Sequence, residues 1–247
     1  MIKSSNPALN VNVFRNEGRV DQATSMTVQG TVNKTGILLL FVLFTASITW
    51  GRFFNGQNIS SLLIVGVITS IIAALITVFN KKIAHISAPF YALAQGLTLG
   101  GISAQLEMLY PGIVIQAVGL TCATCFSLLG AYKSGMIKVT ENFKLGVAAA
   151  TGGLFLFYMI SFVLSFFGMN FGFSLMSGNG LFGIGFSVFV VGIAALNLVM
   201  DFDFIESGEA YGAPKYMEWY AAFGLMVTLI WLYIEILRLL AKLRSRN

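Results

Sequence analysis

The feature that most constrains this chain is where its charges are missing. From 145 to 200 no residue is charged; between Lys34 and Lys81 only Arg52 is, and between Lys82 and Lys133 only Glu107. About 20 apolar residues rising 1.5 Å each cross roughly 30 Å of hydrocarbon, where neither a stray charge nor an unpaired backbone group finds water. With 57% hydrophobic and 10% charged residues, against roughly 25% charged in soluble domains, a water-soluble globule is excluded. The sequence predicts an all-α integral membrane protein.

Uncharged runs bounded by charge or turn residues predict seven spans: Thr35–Phe54, Ser60–Phe79, Ser87–Leu106, Gly112–Tyr132, Leu145–Phe167, Leu181–Met200 and Phe223–Leu240. Breakers punctuate the connectors: Asn55-Gly56, Asn80, Pro111-Gly112, Gly168, Gly178-Asn179-Gly180 and Gly212 to Pro214. Residues 1–34 form a polar N-terminal segment without a cleavable-leader pattern, and 35–247 a multi-pass helical domain. Gly96, Gly100, Gly152, Gly153, Gly183 and Gly185 are small residues of the kind that let membrane helices approach closely.

The net charge of +5 reads as topology rather than nucleic-acid binding, because the basic residues sit in connectors. With the N-terminus inside, that side holds Lys3, Arg15, Arg19, Lys34, Lys81, Lys82, Lys133, Lys138, Lys144 and Lys215, and the other holds only Arg52 before the tail. Seven crossings put the basic tail outside, so either the last segment is not a simple crossing or the earlier loops outvote it.

Ionisable groups inside spans mark pathways, pairing sites or the bilayer edge. Glu107 closes the third span and reads as an interfacial anchor or a vestibule acid. Asp201 ends the longest uncharged stretch and opens a cluster with Asp203, Glu206 and Glu209; it reads as a solvated helix end or as a pathway acid, with the other three in a polar connector. Glu235, set among Ile, Leu, Tyr and Trp, needs a partner or a proton. Arg238 is its local candidate, but Lys242, Arg244 and Arg246 continue toward the headgroups, so Arg238 is expected to snorkel with them and leave Glu235 to set any pH response. Cys122 and Cys125 lie in one apolar run without further ligands and read as structural, and His85 as a solvated connector residue. No metal site, cofactor motif or nucleophile with a base can be assembled, so no cofactor and no enzymatic activity are expected.

Several stretches resemble the Bax inhibitor-1 family, the transmembrane Bax inhibitor motif proteins, in a bacterial form. They are Asn6-Pro7-Ala8-Leu9, Gln95-Gly96-Leu97-Thr98-Leu99-Gly100, Tyr110-Pro111-Gly112-Ile113-Val114, Tyr132-Lys133-Ser134-Gly135 and Leu232-Tyr233-Ile234-Glu235-Ile236-Leu237. The resemblance implies a seven-helix bundle around a central C-terminal helix, in a bacterial inner membrane. It also implies a calcium leak gated by pH through two acids, which match Asp201 and Glu235, and a basic latch, for which Lys81 and Lys82 are the candidates. Glu replaces Asp at 235. If the last helix starts near Met217, Glu235 lies about 27 Å along it, so the acids can meet only if Ala213 to Tyr220 lie outside the bilayer or the sixth helix continues past Asp201.

The expected function is a pH-sensitive calcium leak across a lipid bilayer. Calcium takes oxygen ligands, and two adjacent carboxylates titrate as a unit. A protein that binds and modulates membrane proteases or other membrane machinery, without conduction, is the alternative, and ion flux in proteoliposomes separates the two.

Overall fold

The computed structural model describes residues 25–167, 178 and 180–246. The Asn6-Pro7-Ala8-Leu9 motif, the breakers Gly168 and Asn179 and most of the polar N-terminal segment lie outside the described residues. Among these residues there are seven α-helices: α1 (Val28–Phe54), α2 (Ser60–Phe79), α3 (Ala84–Leu109), α4 (Ile113–Lys133), α5 (Glu141–Phe166), α6 (Leu181–Ala210) and α7 (Met217–Arg244), with a 3₁₀ turn at Lys81–Ile83 before α3. All but α3 are long and apolar enough to cross a membrane. The protein is therefore an all-α, multi-pass membrane protein, as its composition requires.

The helices outrun the apolar runs. Helix α1 starts at Val28 rather than Thr35, because Thr27 caps it, its Oγ1 accepting from the Gly30 N–H at 2.9 Å. Helix α5 starts at Glu141 rather than Leu145, with Thr140 accepting from the Phe143 N–H at 3.2 Å and Glu141 in the first turn, where a negative charge suits the helix dipole. The sixth helix does not stop at Met200 but runs on to Ala210. Asp203, Glu206 and Glu209 thus stand on a helix and not in a connector.

The chain divides into two compact units. Among the described residues one, the α1–α3 unit, comprises the chain from 25 to Pro111 together with Asp203–Val227; the other, the α4–α5 unit, comprises Gly112–Phe202 and the chain from Thr228 onward. Helices α6 and α7 contribute to both.

In the α1–α3 unit, α3 packs against α1 and α2 through glycines. A Cβ at Gly96 would lie 2.1 Å from Thr45 Oγ1, and one at Gly100 2.3 Å from the Ala46 carbonyl. Gly66 of α2 meets Thr98 and the Ala94 carbonyl in the same way. Glycine is needed at these positions because backbone carbonyls, of Val42 at Gly96, Ala46 at Gly100 and Ala94 at Gly66, help fill the space and cannot turn aside. Of the other glycines expected to pack tightly, Gly152, Gly153 and Gly185 face open space. Helix α1 buries Thr31, Thr35, Leu38, Val42, Thr45 and Thr49 on one face. Its threonines are tolerated there because each hydroxyl donates to its own helix; Thr35 Oγ1 to the Thr31 carbonyl at 2.9 Å is typical. The opposite face exposes Leu40, Leu43 and Phe44, as a lipid-facing surface does.

The α4–α5 unit is centred on Leu154, Val190 and Ile193, with Tyr158, Phe186 and Trp231 against them. Asn197 is buried there, its amide donating to Thr151 Oγ1 at 2.7 Å and to the Ile193 carbonyl at 2.9 Å. Half of the α7 span and 44% of the α6 span are enclosed, against 17–22% for α1, α2, α4 and α5. The C-terminal helix is accordingly the most enclosed of the six spans.

Candidate functional site

The polar residues of α6 and α7 fall on facing stripes. At about 100° per residue, Thr228, Trp231, Glu235, Arg238 and Lys242 share about 80° of arc on α7, and Gly183, Ser187, Asn197 and Asp201 share a similar arc on α6. Two contacts fix how the stripes meet. Lys242 Nζ donates to Ser187 Oγ at 2.8 Å and to the Gly183 carbonyl at 3.0 Å, and the Thr228 hydroxyl faces the Asp201 carboxyl. Equal steps along α6 (187 to 201) and back along α7 (242 to 228) join these contacts, so the helices run antiparallel in one register. In that register Glu235 stands opposite Ala194, which is fully buried.

Asp201 is 1% exposed, which corrects the solvated-end reading. It sits more than two turns before the end of α6, and among the described residues neither carboxyl oxygen has a hydrogen-bond partner of ordinary geometry. Thr228, the polar group that faces it, falls short of that geometry.

Glu235 is 3% exposed but fully matched. Arg238 does not leave Glu235 as expected: although its side chain stays 38% exposed, its NH1 nitrogen donates to both Glu235 oxygens, at 2.8 and 3.0 Å. The (i, i+3) spacing permits the contact, and burial of the carboxylate makes it worth more than a solvated guanidinium. The Tyr158 hydroxyl of α5 lies beside this ion pair. Asp201 and Glu235 are not brought together, because Thr228 and Glu235 are seven residues, or about 10 Å of helix, apart. They are two separate acids on one stripe.

The remaining candidates scatter. Lys81 lies over the Tyr220 ring at 6.0 Å, and Lys82 is exposed. Glu107 is half-buried in the last turn of α3. Cys122 is exposed and Cys125 half-buried on α4, both as free thiols. His85 is exposed in the first turn of α3, its Nδ1 3.1 Å from the Lys82 carbonyl.

Two features escaped the reading of the residues. Lys242, assigned to a solvated basic tail, is 4% exposed; its place on the stripe of Glu235 and Arg238 was the available signal. In the α1–α3 unit, Glu218 is 1% exposed and receives the Thr27 N–H at 3.0 Å, the Thr27 hydroxyl at 3.1 Å and the Lys34 ammonium. Glu209 takes the Val28 N–H at 3.0 Å, and Met26 N–H bonds the Ala213 carbonyl at 2.7 Å. Two carboxylates thus cap the start of α1, where the helix dipole favours negative charge.

The stripe of buried polar groups is the candidate functional site, with an acid toward one end, an ion pair in the middle and an ammonium at the other end. Comparison with curated proteins and with solved structures yields no match. The sequence model of the family described as Bax inhibitor 1 like matches residues 6–245, and the chain belongs to that family.

Proposed function

We propose that this membrane protein is a pH-sensitive calcium leak channel, a conductor rather than an enzyme, in a bacterial inner membrane. One observation carries the reading: Asp201 is a buried carboxyl without an ordinary hydrogen-bond partner among the described residues. Such a group is balanced only by a proton or by a cation that reaches it, and a carboxylate oxygen is the ligand a hard cation prefers. Buried ionisable groups on the interior face of a span are a mark of ion pathways.

On this reading Asp201, rather than Glu235, carries the pH response. The charge of Glu235 is matched by Arg238, whereas Asp201 gains or loses a full charge with its proton. Protonation removes a charge that attracts a cation at that end of the stripe, so acidification lowers the flux.

The test is calcium efflux from vesicles holding the purified protein, measured across pH against protein-free vesicles. Flux above the protein-free rate that falls on acidification supports the reading; rates equal to the protein-free vesicles at every pH overturn it.

A further inference from the structure

We infer that Lys242, seated on Ser187 and the Gly183 carbonyl, determines how strongly the leak discriminates against divalent cations. This rests on the leak reading above. Lys242 lies in the last turns of α7, where a lysine ordinarily reaches to the headgroups. Instead it is buried, and its ammonium donates to two neutral acceptors among the described residues. The charged groups that act on it are Arg238 and Glu235, and these compensate each other at 2.8 Å. One unit of positive charge therefore remains at this end of the stripe, and it resides on Lys242.

The seat is built into the backbone. A Cβ at Gly183 would fall 1.9 Å from the Gly178 carbonyl, so backbone packs closely against the residue whose carbonyl receives Lys242. Ser187, 1% exposed, is equally enclosed.

A fixed positive charge repels a calcium ion twice as strongly as a potassium ion at the same distance. At several ångströms and an effective dielectric of about 20, the extra unit of charge changes relative rates by about tenfold or more. Lys242 thus opposes calcium at one end of a stripe whose other end, at Asp201, attracts it. A residue that only fastened α6 to α7 would alter total flux or stability and leave the ratio of the two ions alone.

The experiment compares calcium and potassium fluxes through the full-length protein in vesicles of neutral phosphatidylcholine. Lys242→Met removes the charge, and Ser187→Asp keeps the lysine but gives it a carboxylate; each raises the calcium-to-potassium ratio by about tenfold. Lys242→Arg keeps the charge and holds the ratio within about twofold, whatever it does to total flux. Should Lys242→Met fail to fold, Ser187→Asp decides alone. An unchanged ratio in the charge-removing variants that conduct overturns the inference and leaves the leak reading standing. Absence of calcium flux from the wild type and all variants overturns the leak reading, and the inference with it.

Discussion

Two buried carboxylates, one in each unit, sit in opposite circumstances. Glu218 in the α1–α3 unit has every need met, by Lys34, by the backbone and hydroxyl of Thr27, and by Gly30, whose missing Cβ leaves room for the carboxylate. Asp201 in the α4–α5 unit is as deeply buried and has no ordinary partner among the described residues. A matched acid is fixed in one charge state and holds structure together. An unmatched one is free to change state, at a cost in stability, and that freedom is what a pathway needs.

The comparison is tested most severely at Glu218. Replacing it by Ala strands Lys34 and the Thr27 N–H, and the loss of one partner of a buried pair costs about 3–5 kcal/mol; thermal unfolding of the detergent-solubilised protein checks this. Gly30→Ala attacks the same carboxylate indirectly, since the new methyl would lie 2.2 Å from Glu218 Oε1. Overpacking of this kind costs about 1–3 kcal/mol, and a double variant with Glu218→Ala should show less than the sum of the two losses. Asp201→Asn, by contrast, removes no hydrogen bond of ordinary geometry and should shift stability by less than about 1 kcal/mol. A loss at Asp201 as large as that at Glu218 would erase the distinction between them. Replacing Cys122 and Cys125 together by Ser, on α4 and outside both carboxylate sites, should have the smallest effect, within about 0.5 kcal/mol and with flux retained.

The parts of this molecule legible in the sequence are those the bilayer imposes on any chain. The span Ser60–Phe79 emerges with its bounds intact because an uncharged run is a property of consecutive residues. The continuation of α6 past Asp201 was hidden because Asp203, Glu206 and Glu209 look like a connector when read as composition, although their helix persists to Ala210. Asp201 and Glu235 stood out as charges among apolar neighbours, but their partners depend on helix rotation and register. Whether Arg238 turns inward to Glu235 or outward to the headgroups is a choice between two rotamers of one long side chain. Lys34 and Glu218 meet from opposite ends of the chain, and no local pattern links them. The stripe on α7 was available from spacing alone, since 228, 231, 235, 238 and 242 recur at helical intervals. What spacing could not supply was the matching face of α6, set by Ser187 and Asp201.

The central claim is that the unmatched acid, not the matched one beside Arg238, carries the pH response. The most direct measurement is calcium efflux as a function of pH from vesicles holding equal amounts of wild type, Asp201→Asn or Glu235→Gln. The wild-type flux is expected to fall on acidification, Asp201→Asn to remove most of this dependence, and Glu235→Gln to alter total flux while keeping its shape with pH. A wild-type pH curve retained in Asp201→Asn, or lost only in Glu235→Gln, would contradict that claim.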